Sequence, residues 1–130
     1  MAQPAAIRIV NQTRDCVLAE HADLARSFLA RGRGLMGRTV LPAGYALIIY
    51  PEWSIHTFFM RIAIDVLFVD RSHQIVGMRE AMPPNRPFAG VAPWRGQYVI
   101  EMPAGVISAT GTAVGDQLTL VPPPDKAARR

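Results

Sequence analysis

Between Tyr45 and Val121 the apolar residues come in short bursts, each stopped by proline, glycine or a polar turn before it reaches helical length. Tyr45–Tyr50 is a continuous apolar run closed by Pro51, and Ile55–Arg61 and Ile64–Asp70 are rich in branched and aromatic side chains. Arg71-Ser72-His73 reads as a turn, with Gln74–Met78 returning as a partner strand. Gln97–Met102 is a further strand, and Val114-Gly115-Asp116 turns the chain into Gln117–Val121. Ahead of them, Ile7, Ile9 and Val10 form a hairpin with Cys16–Ala19 across the polar turn Asn11-Gln12-Thr13. About seven or eight short strands at this spacing predict a mostly β fold, a β-sandwich or a partly open barrel. The pattern lacks the strand–helix alternation that a parallel sheet needs.

Three segments depart from it. Leu24 with Phe28, and Ala25 with Leu29, form i, i+4 pairs, and Asp23 stands where a carboxylate favours a helix start. With Gly32 and Gly34 as stops, they predict one helix near residues 22–33. Gly105–Thr110, closed by Gly111, predicts a short helical turn near 104–110. Residues 81–96 are proline-rich and predict a long loop, packed down through Phe88, Val91 and Trp94.

A chain of 130 residues can bury a core without staples, and one β domain is expected over 6–121. Residues 1–5 and the Pro/Arg tail, 122–130, are expected to be flexible. With 50% hydrophobic and 18% charged residues, wholesale disorder is excluded. Cys16 is the only cysteine, which excludes an internal disulfide and a thiolate metal cluster; it reads as a small core hydrophobe. The apolar runs are too short to span a bilayer, so no membrane association is expected. Met1-Ala2-Gln3-Pro4 lacks the charged and apolar regions of a signal peptide, which implies a cytoplasmic address; an Ala-Gln-Pro-Ala-Ala start also suits a chain whose leader has been removed.

The densest stretch of possible chemistry is Ser54–Asp65. If Ile55–Arg61 is a strand, His56, Phe58 and Met60 share one face, with Thr57, Phe59 and Arg61 on the other. His56 or Arg61 can then pair with Asp65, either at a pocket mouth or as a structural tie between strands. An aspartate opening the apolar run Ile64–Phe68 must find donors if buried, which alone can account for it. His21, His56 and His73 match no metal-ligand spacing, and only a mixed set of His56, Asp65 and Glu101 offers itself; no metal and no cofactor is expected. No serine sits in a nucleophile elbow. In Arg31-Gly32-Arg33-Gly34-Leu35-Met36-Gly37-Arg38 the glycines follow a helix, where the dipole repels anions. The segment reads as a helix cap with Leu35 and Met36 anchored in the core. The net charge of +4 comes from 14 basic residues, all arginine except Lys126. Arg26, Arg31, Arg33, Arg38, Arg61, Arg86 and Arg95 could form a patch for nucleic acid, but no recognition helix or exposed aromatic array accompanies them.

Arg33–Arg38, Ile55–Arg61, Ile64–Asp70, Tyr98–Gly105 and Val114–Asp116 occur in an order that resembles the bacterial and archaeal family known as domain of unknown function 192, over about residues 6 to 121. The chain departs from the family pattern at Ala63, where a proline is usual, at Ser72-His73, where Asp-Gly is usual, and at Ile100 and Met102, where leucine is usual. The resemblance implies a small, mainly antiparallel, jelly-roll-like β fold with a helix before Gly34-Leu35-Met36. It implies no established activity and no catalytic residues. Its motif positions sort into expected core (Leu35, Met36, Phe58, Met60), backbone geometry (Pro103, Gly105, Gly115) and a polar remainder of His56, Arg61, Asp65 and Glu101.

The resulting expectation is a non-enzymatic or accessory module that binds a small polar or anionic ligand at His56, Arg61, Asp65 and Glu101, with Trp94 and Arg95 of the long loop forming a wall. Two alternatives stand beside it. One is a nucleic-acid or partner-protein module using the arginine surface. The other is a metal-dependent enzyme on a jelly-roll scaffold.

Overall fold

The protein is described by a computed structural model over residues 6–124. The expectations for residues 1–5, and for 125–130 of the tail, lie outside the described residues. The elements in chain order are Ile7–Asn11 (β1), Cys16–Ala25 (β2), Phe28–Arg33 (α1), Tyr45–Ile49 (β3), Ser54–Ile55 (β4), Ile64–Val69 (β5), Ile75–Met82 (β6), Ala89–Gly90 (β7), Tyr98–Pro103 (β8), Val106–Thr110 (α2) and Leu118–Val121 (β9). The fold is mostly β, as the short apolar runs predict. Neither helix is long and apolar enough to cross a membrane.

All six residues of β5 are buried, as are all five of β3. Strands apolar on both faces need cover on both. They lie inside one seven-stranded sheet, in the order β6-β5-β8-β3-β2-β1-β9, which curls into a half-barrel. Ile48, Leu67, Ile100 and Met102 point into the hollow, where Ile107 of α2 joins them. Leu47, Ile49, Val66, Phe68 and Val99 point outward, beneath a layer of connecting segments anchored by Leu35 and Met60. At one corner the two edge strands are drawn together: Ile75 N–H donates to Asp116 O (2.9 Å), and Leu118 N–H donates to His73 O (2.8 Å). This tie protects part of an otherwise open edge.

The helix expected near 22–33 is shorter than its pattern predicts. Residues 22–25 belong to β2, which pairs on one side with β1 and on the other with β3. Pairing of all four residues with β3, of Ala22 also with Ile7 of β1, and the burial of Ala22 and Ala25 outweigh the helical spacing of Leu24 and Ala25. The helix starts only at Ser27, whose Oγ accepts from Ala30 N–H at 3.1 Å. Asp23 instead accepts a hydrogen bond from the Tyr45 hydroxyl. The β2–β3 pair is parallel, with α1 in the crossover between them, so one strand–helix–strand unit sits in an otherwise antiparallel sheet.

Ile55–Arg61 is likewise not a strand beyond Ile55. Thr57 is fully buried, its hydroxyl donating to Pro83 O and accepting from Arg86 N–H, both at 2.8 Å. These bonds turn residues 56–60 back against the 83–88 loop. Phe58, expected in the core, is 41% exposed. The proline-rich segment contributes two ladder positions, since Ala89 and Gly90 pair with Ile55 and Ser54. Trp94 does not pack down and is 86% exposed. A Cβ at Gly90 would stand 2.7 Å from Ser54 Cβ and 2.9 Å from Trp53 O. Gly90→Ala therefore pushes β7 off β4 and lowers stability by about 1–3 kcal/mol in urea denaturation; an unchanged midpoint would show that the pairing yields without strain.

Candidate functional site

Glu101 lies in the middle of β8, within the apolar run Tyr98–Met102. Its side chain shares the outer face with Val99, because successive residues of a strand point to opposite sides. Its partners in register are Leu47 on β3 and Val66 on β5, both apolar. The carboxyl is 3% exposed, and its Oε1 has no hydrogen-bond partner among the described residues. Burial raises its pKa to about 8, so the neutral acid predominates at pH 7.

Above Glu101 the outer layer leaves a cavity of about 270 Å³. Its walls come from three segments that the chain brings from far apart: Arg31–Met36 at the end of α1, Glu52–His56 around β4, and Pro87-Phe88. Ile49 and Met60 complete the apolar lining. Gly34 ends α1 with its N–H donating to Ala30 O, and its φ of +47° with ψ of −127° suits glycine. A Cβ there would face Glu101 Oε1 at 3.6 Å, so the helix end sits directly against the carboxyl.

Arg31 is held at the wall by a hydrogen bond to Pro51 O (3.1 Å) and by Glu52 (3.6 Å). Its Nε is buried without a partner among the described residues. Two residues lining one cavity thus bury a carboxyl oxygen and a guanidinium nitrogen that have no partner among the described residues. Arg33 adds positive charge at the rim. The His56 ring packs against the Phe58 ring at a tilt of 39°, and its Nδ1 accepts from Phe58 N–H at 3.2 Å.

Of the six residues expected at a site, His56 and Glu101 line this cavity. Asp65 does not. It is the residue of β5 opposite Met102, so it points into the hollow while Glu101 points outward. Its carboxylate is occupied by backbone: Oδ1 accepts from Ala81 N–H (2.8 Å), and Oδ2 from Gly105 N–H (3.1 Å) and Ile107 N–H (2.8 Å). Neither His56 nor Arg61 pairs with it. Arg61 is exposed and does not line the cavity. Trp94 and Arg95 border a separate shallow depression with Asp70 and Arg71. A metal set of His56, Asp65 and Glu101 is divided by the sheet, and no other cluster of metal-binding side chains occurs among the described residues.

The wall residues Arg31, Gly34, Glu52 and Phe88 were not expected at the site. The Arg31–Arg38 segment reads as a helix cap from its sequence, and it is one; its second role follows from where the crossover lands. Elsewhere the arginines are dispersed. Arg26 and Arg38 lie over the rings of Tyr50 and Tyr45, at 5.0 and 5.3 Å. Arg14 binds the buried Asp116, and its hydrogen bond holds that carboxyl below the usual range.

Residues 9–120 match the DUF192 family profile, described as Uncharacterized ACR. A UPF0127 protein of Thermococcus sibiricus is 36% identical over 118 residues, covering 85% of this chain and 72% of that protein. Another, from Pyrococcus furiosus, is 30% identical over 120 residues, covering 85% and 95%. Two crystal structures share the fold. One is a protein of unknown function from Novosphingobium aromaticivorans, with TM-score 0.76 and 19% identity over 88% of this chain and 84% of that one. The other is a putative transcription regulator from Sinorhizobium meliloti, with TM-score 0.73 and 20% identity over 93% and 98%.

Proposed function

The chain belongs to the DUF192 family, which carries no assigned activity, and from that premise we propose that it is a binding module for a small polar or anionic molecule seated over Glu101. The observation that carries this reading is the unpartnered, buried Glu101 Oε1 at the base of a cavity. Leaving a buried polar atom unmatched costs about 1–3 kcal/mol. A ligand that supplies the missing hydrogen bond recovers this cost on binding. Arg33 at the wall supplies positive charge beside the Arg31–Glu52 pair, and the apolar lining excludes water from the contact. Engagement of Arg26 and Arg38 on tyrosine rings, and of Arg14 and Arg31 with acids, leaves the arginine surface a weaker candidate for nucleic acid.

A thermal-shift screen of small carboxylates, phosphates and amines tests the reading. A ligand at about 100 times its Kd stabilises by about 2.7 kcal/mol. The shift is expected to vanish in Met36→Trp, which fills the cavity from a half-buried wall position, while circular dichroism stays native. A shift that persists undiminished in the filled variant would place binding elsewhere and end the proposal.

A further inference from the structure

Resting on the pocket reading above, we infer that the ligand is a small carboxylate with an apolar body, its two oxygens held by the Glu101 carboxyl acting as hydrogen-bond donor and by the Nε–H of Arg31. Two residues that line the pocket each bury a polar atom without a partner among the described residues, Glu101 Oε1 and Arg31 Nε. They lie on different elements, β8 and α1, and line one cavity. Their chemistry is asymmetric. The guanidinium N–H can only donate, so whatever meets it must accept. A carboxyl flanked in the sheet by Leu47 and Val66 is most stable in its neutral form, which has an O–H to give. Two donors in one pocket match the two oxygens of a carboxylate. A phosphate has more acceptor oxygens than these two donors can satisfy, and a primary amine supplies no acceptor for Arg31. The remaining lining, from Leu35, Ile49, Met60 and Phe88, is apolar and suits a hydrocarbon body. The volume of about 270 Å³ limits that body to a small one.

This arrangement fixes how binding depends on pH. The other charged or titratable groups facing the cavity are Arg31 and Arg33 from α1, and Glu52 and His56 around β4. Binding requires the protonated Glu101, so the complex holds a proton that free protein loses near pH 8. Affinity is flat below that pH and falls about tenfold per pH unit above it.

The probes are hexanoate, hexylamine and inorganic phosphate, titrated into the intact protein by calorimetry between pH 6 and 10. Hexanoate is expected to bind best and to show the tenfold loss per pH unit above 8. Glu101→Gln keeps an N–H donor, so it should retain hexanoate binding within about threefold and lose that pH dependence. Glu101→Leu should lose binding. Repeating the profile in His56→Gln separates the carboxyl from the histidine, and the alkaline limb must survive there. Preferential binding of hexylamine, abolished in Glu101→Gln, would overturn the carboxylate assignment and leave the pocket reading standing, as would tighter binding of phosphate. If none of the three binds, both fall.

Discussion

Asp65→Ala is expected to lower the stability of the fold by about 3–5 kcal/mol, a large share of the roughly 5–15 kcal/mol that an ordinary domain has. Three backbone N–H groups converge on this carboxylate. The pairing of β5 with β6 slips by a residue at this point: Ile64 faces Met82 and Val66 faces Arg79, so Glu80 and Ala81 together oppose Asp65. That bulge turns Ala81 to φ +46° and its N–H toward Oδ1. On the other side, Oδ2 takes two N–H groups from the start of α2, whose own N-cap, Gly105, has no side chain to offer. One carboxylate thus fixes both a bulge and a helix start. Removing it orphans the donors, each at about 1–3 kcal/mol before relaxation and water entry. Asp65→Asn should cost less, because one oxygen remains. Chemical denaturation checks the order, and an Asp65→Ala variant within about 1 kcal/mol of wild type would contradict it.

Glu101→Leu should move stability in the other direction. It removes an unmatched buried carboxyl and adds apolar contact, worth about 1–3 kcal/mol at pH 5, where the acid is already neutral. At higher pH the gain grows. Glu101 has a folded pKa raised from 4.5 to about 8, so the native state holds a proton that the unfolded chain releases. Its contribution is therefore fully present below pH 4.5, declines between 4.5 and 8, and is lost above 8. The slope is about 1.4 kcal/mol per pH unit, roughly 5 kcal/mol over the whole window. Glu101→Gln should abolish that slope without the packing gain of leucine. Parallel stability–pH curves for wild type and Glu101→Gln would mean that the carboxyl is solvated in solution. A substitution that stabilises the fold while abolishing hexanoate binding would mark the acid as kept for a purpose other than stability.

The two acids illustrate what could be read in advance. An aspartate at the mouth of Ile64–Phe68 announces buried donors, and the structure supplies them as backbone. A glutamate in the centre of Tyr98–Met102 announces a buried acid. What the linear pattern lacks is relative register. Whether Asp65 and Glu101 meet depends on which residue of β5 stands opposite which residue of β8; Asp65 faces Met102, and the alternation sends the two acids to opposite sides. The short helix is a similar case. The spacing of Leu24, Ala25, Phe28 and Leu29 is helical, but β2 has neighbours on both sides, which local sequence cannot reveal. The cavity walls were hidden for the same reason. Gly34 meets Glu101, and Arg31 lines the same cavity, because the crossover between the parallel strands β2 and β3 passes over the outer face of the sheet, and the placement of a crossover is a tertiary fact.

That crossover also separates what must stay fixed from what is free to vary. The base of the cavity comes from strands whose residues are locked by pairing on both sides, whereas its walls hang from connections that set no register. Replacing Arg33, Met36 or Phe88, none of them fully buried, can therefore reshape the cavity while the sheet folds as before. The residues that hold the sheet together and those that shape the cavity are thus largely different residues.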